Sequence, residues 1–384
     1  MSASGTAAAV DVTTFRTWTQ TSPQAAAESF QPAEFQCARW AFNPHVHTIF
    51  GSGEVAKRVF RKDGPAVDYR RERLDTPDGD FIDVDFYDGG ANSDGGEGAA
   101  AAGGGKIAVL THGLESTSTA PLTARMALAF AAKGYRVAVL CFRSCSGEDN
   151  RTLGAYHMGF TDDLGFLVET LRKRHPSDPI FLSGFSLGGN VISKYLGEIG
   201  SRAQELGIIG ASVSCVPFDA VGCQEQIDSG FNRRVYSGNF LKSLKPKIAR
   251  KFADPALAEQ AKKVLDLEAI LACSSIGEFD DLYIAKVYGF DSATDYYIKN
   301  QSGPFLKKVT VPLLAIQARD DPFMRADTLP TQETCEGAPI KLAYYDKGGH
   351  CAFISRDRAD RENNGWLPLQ LARFAEHLET AHAS

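Results

Sequence analysis

The sequence predicts an α/β fold: a mostly parallel central sheet with helices on both faces and a helical cap inserted late in the chain. Three observations lead there. From Ile107 onward, short apolar runs alternate with segments whose apolar residues recur at helical spacing, the pattern of parallel strands joined by crossover helices. One apolar run meets its helix through Gly184-Phe185-Ser186-Leu187-Gly188, a tight strand-to-helix turn with glycine on both sides of a serine. The alternation then breaks between about Pro217 and Pro304. A mostly helical insertion there would overhang the C-terminal strand ends, the rim on which α/β sites lie.

The chain of 384 residues suits one large domain with insertions. Residues 1–29, rich in Ala, Ser and Thr, show neither a basic nor an apolar leader region and are expected to be unstructured. Residues 30–68 read as an aromatic, loop-like extension packing on the core, and the main domain as residues 69–384, with the cap at about 217–304. Tyr69 to Leu74 and Phe81 to Tyr87 form a hairpin turned by Pro77-Asp78-Gly79. Asp88 to Gly105, glycine-rich and acidic, reads as a flexible surface loop. Its Gly103-Gly104-Gly105-Lys106 is a poor phosphate loop, because a strand follows it rather than a helix. Ile107 to Leu110 is that strand. A helix opens at Thr119 and Pro121, carries Leu122, Met126 and Phe130 on one face and stops at Gly134. Arg136 to Cys141 is the next strand. Thr161-Asp162-Asp163 caps a helix with Leu164, Leu167, Val168 and Leu171 on one face, its aspartates suiting the positive end of the helix dipole. The strand Pro179 to Ser183 leads into the serine turn, and Gly189 to Leu196 is the helix beyond it. Strands at Ile208 to Ser214, Val311 to Ala318 and Ile340 to Tyr345 complete the sheet. A last helix carries Leu367, Leu371, Phe374 and Leu378.

Hydrophobic residues make up 43% of the chain and charged ones 23%, ordinary for a protein with a real core. The net charge of −6, with no basic block, argues against a nucleic-acid partner. No run reaches the ~18 apolar residues a membrane span needs. Eight cysteines are scattered without a Cys-x-x-Cys pair, several in apolar strands. They read as buried free thiols in a reducing, cytoplasmic compartment, with an organelle address through the N-terminal extension as the alternative.

The serine turn carries the chemistry. It lifts the Ser186 hydroxyl off the strand and aims the Leu187 N–H, at a helix N-terminus, where an oxyanion would form. A serine nucleophile needs a base, and the base an orienting acid, in the chain order serine, acid, histidine for this kind of turn. Strand Val311 to Ala318 ends in Arg319-Asp320-Asp321-Pro322, and strand Ile340 to Tyr345 ends in Asp346-Lys347-Gly348-Gly349-His350. Both loops leave the rim that holds Ser186. His350 is therefore the base; His45, His47 and His157 follow no late strand. Asp320 and Asp321 compete for the acid, with Asp321, just before Pro322, preferred and Asp219 a distant third. The second oxyanion donor is the N–H of Leu114, in Thr111-His112-Gly113-Leu114-Glu115 after strand Ile107 to Leu110. This chemistry calls for no metal or cofactor. In the cap, Phe231, Tyr236, Phe240, Phe279, Tyr283 and Phe290 are candidates to contact an acyl group.

These blocks, with Asn43-Pro44-His45-Val46-His47-Thr48, Phe142-Arg143-Ser144-Cys145-Ser146-Gly147-Glu148, Asn150-Arg151-Thr152, Tyr156-His157 and Gly189-Asn190, resemble AB hydrolase family four. That family holds plant embryogenesis-associated hydrolases, bacterial esterases and animal lipases and phospholipases. The resemblance runs from about Trp40 to the C-terminus. It implies an α/β-hydrolase fold, a charge-relay triad of Ser186, Asp321 and His350, and action on carboxylic esters such as monoacylglycerols or short-chain esters. The partner implied is thus a small ester or lipid, with peripheral membrane contact left open. Thioesterase, phospholipase and acyltransferase chemistry are alternatives at the same site. A non-catalytic binding protein is the rival class, opposed by the complete serine, acid and histidine order. Two departures stand out. Ser144 replaces a glycine usual in the family, and the membrane anchor that begins animal members is not seen, which weighs against a phospholipid substrate. Cys145 belongs to a turn in this reading, not to the chemistry.

Overall fold

In the computed structural model, which describes residues 21–51, 56, 67–89 and 105–383, eight strands form one sheet. They are β1 (Arg70–Asp75), β2 (Phe81–Tyr87), β3 (Ile107–Thr111), β4 (Arg136–Cys141), β5 (Ile180–Phe185), β6 (Ile208–Ser214), β7 (Leu313–Ala318) and β8 (Ile340–Tyr345). The spatial order is β1-β2-β4-β3-β5-β6-β7-β8. β2 runs antiparallel to both neighbours, and every other pair is parallel. β3, β5, β6 and β7 are buried along their whole length, as strands covered on both faces must be. β1 is an edge strand whose charges discourage further pairing. Its Arg71 and Arg73 grip the buried Asp85 and Asp83 of β2 through paired bonds of 2.7–2.9 Å, which supplies the partners those carboxylates need.

Helices cover both faces. On one side α3 (Pro121–Ala131) and the C-terminal α8 (Trp366–Ala383) bury Met126, Phe130, Leu367, Leu371 and Phe374 against Val137, Val139 and Phe181. On the other, α4 (Asp162–Arg174) and α5 (Leu187–Ile199) bury Leu164, Leu167, Val191 and Ile192 against Ile107, Val109 and Leu182. Between β6 and β7 the chain leaves the sheet for α6 (Ala220–Ile227), α7 (Gly238–Ala253) and shorter helical pieces to Asn300. These build a separate apolar cluster from Leu241, Ile248, Ile270, Phe279, Tyr283 and Tyr296. Polar bonds fasten this cap to loops of the sheet: Lys247 to Glu115 at 2.7 Å, Arg250 to Asp149 at 2.5 and 2.9 Å, and Lys251 to the carbonyl of Gly154 at 3.1 Å.

Several details differ from the sequence reading. Residues 1–20 lie outside the described residues, but the expected unstructured stretch to residue 29 does not hold at its end. Pro23–Ser29 is a helix, α1, whose N-terminus the Ser22 hydroxyl caps. Its alanines are contact residues: Ala26 and Ala27 are fully buried, and Phe30 packs edge-on to Phe374 at 5.0 Å. The described part of the extension holds a second helix, α2 (Pro44–Phe50), capped by Asn43. Residues 90–104, most of the glycine-rich loop, lie outside the described residues. The Thr161 hydroxyl does not cap α4; it donates to Glu198 at 2.6 Å. Asp163 lies in the first turn of α4 as expected and in addition holds a buried guanidinium, accepting two bonds from Arg143 at 2.7 and 2.9 Å. β7 starts at Leu313, two residues later than expected, because Pro312 has no N–H for the ladder. All eight cysteines are free.

Candidate active site

Register brings the loops of the site together. Thr111 pairs with Gly184, Phe185 with Ser214, Ser214 with Ile316, and Ala318 with Tyr345. The chain therefore leaves β3, β5, β6, β7 and β8 along one edge. At the end of β5, Ser186 sits at φ +54° and ψ −129°, a conformation that side chains avoid and that surrounding structure must impose. Glycine makes room for it. A Cβ on Gly188 would fall on the carbonyl oxygen of His112, and one on Gly113 would lie 3.0 Å from the Phe185 ring.

The turn points the serine at His350. Ser186 Oγ lies 2.9 Å from His350 Nε2, and His350 Nδ1 lies 2.8 Å from Asp321 Oδ2. The buried carboxylate accepts a hydrogen bond from Nδ1–H, which leaves the Nε2 lone pair to accept from the serine hydroxyl. Asp321 is itself fixed, since its other oxygen accepts the Phe323 N–H at 2.8 Å. Its neighbour does something else: Asp320 accepts the Gly349 N–H at 3.0 Å and so shapes the histidine loop. Asp219, the third candidate, accepts the Gly222 N–H as N-cap of α6.

The rival histidines are all occupied. His45 bonds Tyr236. Burial holds His47 neutral, with a pKa lowered to about 4, and its ring bonds Cys37 and the Ile354 N–H. Burial lowers His157 to about 3. His112, in the loop after β3, is likewise lowered to about 4 by burial. It donates to the Gly113 carbonyl at 2.9 Å and accepts the Phe142 N–H at 3.2 Å, which braces the loop carrying Leu114. Leu187 is the first residue of α5, so its N–H has no acceptor within the helix. Leu114, Leu187, Ser186 and His350 line one cavity of about 130 Å³.

Sequence reasoning missed two supports. The Thr48 hydroxyl accepts the His350 backbone N–H at 3.0 Å while donating to Pro44 at 2.8 Å, so α2 holds the histidine loop from outside. Asp80 gathers bonds from Asn150, Arg151 and Thr152, so those polar residues fasten the β1–β2 hairpin rather than a ligand. The cavity wall is apolar and largely of the cap. Phe240, Phe279 and Tyr283 line it, as expected; Phe231, Tyr236 and Phe290 do not. Phe231 is 54% exposed and packs on His45 at 4.6 Å, Tyr236 packs on Phe323, and Phe290 backs Tyr296.

Several known proteins are similar to this chain. A family model described as "alpha/beta hydrolase fold" matches residues 109–357. The chain is 32% identical over 84% of its length to the protein named "Putative esterase YheT" of Escherichia coli (strain K12), covering 87% of it. It is 26% identical over 82% of its length to human "Phospholipase ABHD3", covering 73% of it. Among solved structures, the Pyrococcus furiosus esterase Pf2001 superposes with a TM-score of 0.50 at 16% identity, over 84% of this chain and 96% of that one, a likeness of fold.

Proposed function

The chain belongs to the α/β-hydrolase fold family and is a hydrolase of its esterase type, and from that premise we propose that it cleaves carboxylic esters through an acyl-enzyme on Ser186. The observation that carries this reading is the hydrogen-bonded chain from Ser186 through His350 to Asp321. His350 Nε2 takes the hydroxyl proton as Ser186 attacks the ester carbonyl. Asp321 holds the ring tautomer and stabilises the imidazolium. The N–H groups of Leu114 and Leu187 receive the oxyanion. His350 then protonates the departing alcohol, and the same base activates water to release the acid.

The substrate proposed is an uncharged ester with a short or medium acyl chain, or a monoacylglycerol. The cavity beside Ser186 is walled by Phe240, Leu244, Phe279 and Tyr283, surface that favours a hydrocarbon chain. Three cations also border it, but none stands open to a phosphate. Arg143 is paired with Asp163 and Asp78 at 2.7 Å each. Lys247 is paired with Glu115, and Lys251 donates to the carbonyls of Thr152 and Gly154 at 2.5 and 3.1 Å. A phospholipid is therefore the second reading, supported by the human relative's name.

The test is a panel of p-nitrophenyl esters of graded chain length, a monoacylglycerol, a thioester and phosphatidylcholine, each with and without a competing alcohol. Monoacylglycerol or short-chain ester should show the highest kcat/KM, and Ser186→Ala should lose roughly 10⁴–10⁶ of it while folding normally. Phosphatidylcholine in first place would replace the substrate proposed, and undiminished turnover by the variant would end the serine mechanism.

A further inference from the structure

Two thiols sit against the histidine of the proposed mechanism and take no part in it. Cys215 follows β6 directly, and Cys351 is the residue after His350. Both are buried and free. Their sulfurs and a ring nitrogen of His350 all lie within 4.8 Å of one another, and no other such group of three His, Cys, Asp or Glu ligand atoms occurs among the described residues. The contact is held by the backbone. The Cys351 N–H donates to the Cys215 sulfur at 3.2 Å, and the Cys215 thiol reaches the Gly349 carbonyl at 3.7 Å. Both cysteines take left-handed φ values, +49° and +63°, which cost energy for a residue with a side chain. The surrounding fold, not local preference, brings the sulfurs together.

Two thiolates and an imidazole are a ligand set for a borderline or soft cation and a poor one for Mg²⁺ or Ca²⁺. With Zn–S near 2.3 Å and Zn–N near 2.0 Å, tetrahedral ligand atoms stand roughly 3.5–3.8 Å apart. Closing the present cluster onto an ion needs movements of about 1 Å. We propose that Cys215, Cys351 and His350 form an inhibitory site for a soft divalent cation such as Zn²⁺. Both ring nitrogens of His350 are already in use, on Asp321 at 2.8 Å and on Ser186 at 2.9 Å. Whichever nitrogen the ion takes, one of these bonds is lost and the base with it. The two thiols bind as thiolates and release their protons to solvent. The ion enters through the active-site cavity, which His350 lines. The inhibitory part of this proposal rests on His350 being the base; the ligand set does not.

Purified protein titrated with Co²⁺ should develop thiolate-to-cobalt charge-transfer absorption in the near ultraviolet, complete at one equivalent. Zn²⁺ should inhibit ester hydrolysis, a chelator should restore it, and Mg²⁺ and Ca²⁺ should have no effect. Cys215→Ala and Cys351→Ala should each lose the cobalt band and need at least tenfold more Zn²⁺ for half inhibition. Cys215→Ser, which keeps an acceptor for the Cys351 N–H, serves as a second variant if alanine unfolds the loop. Absence of the band in wild-type protein would overturn the site. So would Zn²⁺ inhibiting the cysteine variants as strongly as wild type, since the ion would then act on the histidine alone. A cysteine-dependent band in a protein without esterase activity supports the site and overturns the function instead.

Discussion

Asp320 and Asp321 leave the same strand one residue apart and make different bonds. Asp321 faces the His350 ring, and Asp320 holds the Gly349 N–H. Asp321→Asn should cost about 10⁴ in kcat by leaving the imidazole in the wrong tautomer, the magnitude known for the serine-protease case. Asp320→Asn keeps an acceptor for Gly349 and should stay within about tenfold of wild type. Steady-state kinetics of the two variants checks the assignment; a dead Asp320→Asn with an active Asp321→Asn would reverse it. The sequence narrowed the acid to this pair because both follow a late strand. It could not choose on physical grounds, because the choice is made by the turn in which Asp321 also caps the Phe323 N–H. The histidine was easier to read, since Gly348-Gly349 before it is a turn signal in its own right.

At the scale of elements, α2 and the cap make separable contributions. α2 reaches the His350 backbone N–H through the Thr48 hydroxyl, so Thr48→Val should lower kcat by about 10- to 100-fold with KM little changed, as expected when a reacting group is displaced. Thr48→Ser, which keeps the hydroxyl, should stay near wild type; a defect in Thr48→Ser with none in Thr48→Val would mean that the methyl packing of Thr48 matters and its bond to His350 does not. The block Asn43 to Thr48 stood out in the sequence, yet its role was invisible because its partner lies about 300 residues away. The cap was legible as an interruption of the sheet pattern, but which of its aromatics face inward was not, because composition carries no direction. Alanine at Phe240, Phe279 or Tyr283 should shift the preferred acyl length, and alanine at Phe231 should not. An acyl-length series on these folded variants decides it, and an unchanged profile at all three inner positions would place chain-length selection elsewhere.

Across the whole molecule, the parallel sheet was legible because buried strands and amphipathic helices alternate in the sequence. The helix Pro23–Ser29 was not, because its packing face is alanine, which looks like low complexity until a partner surface exists. Stability should also respond to pH through the cap. Burial pushes the Asp280 carboxyl up to about 7 from 3.8, with one oxygen accepting the Tyr297 hydroxyl at 2.6 Å. The folded state then keeps a proton that the unfolded chain releases in this window. The group's stabilising contribution is full below about 4 and is lost as the pH rises through about 7. Asp280→Asn, which retains the acceptor, should therefore melt a few degrees above wild type at pH 8 and level with it at pH 4; a pH-independent difference in Tm would contradict this. The proposed mechanism makes Ser186 a nucleophile activated by His350. Its most direct test is treatment with a fluorophosphonate followed by peptide mass mapping. A single adduct on Ser186 is expected, formed far more slowly in His350→Ala. An adduct at another residue, or labelling of Ser186→Ala at the wild-type rate, would contradict it.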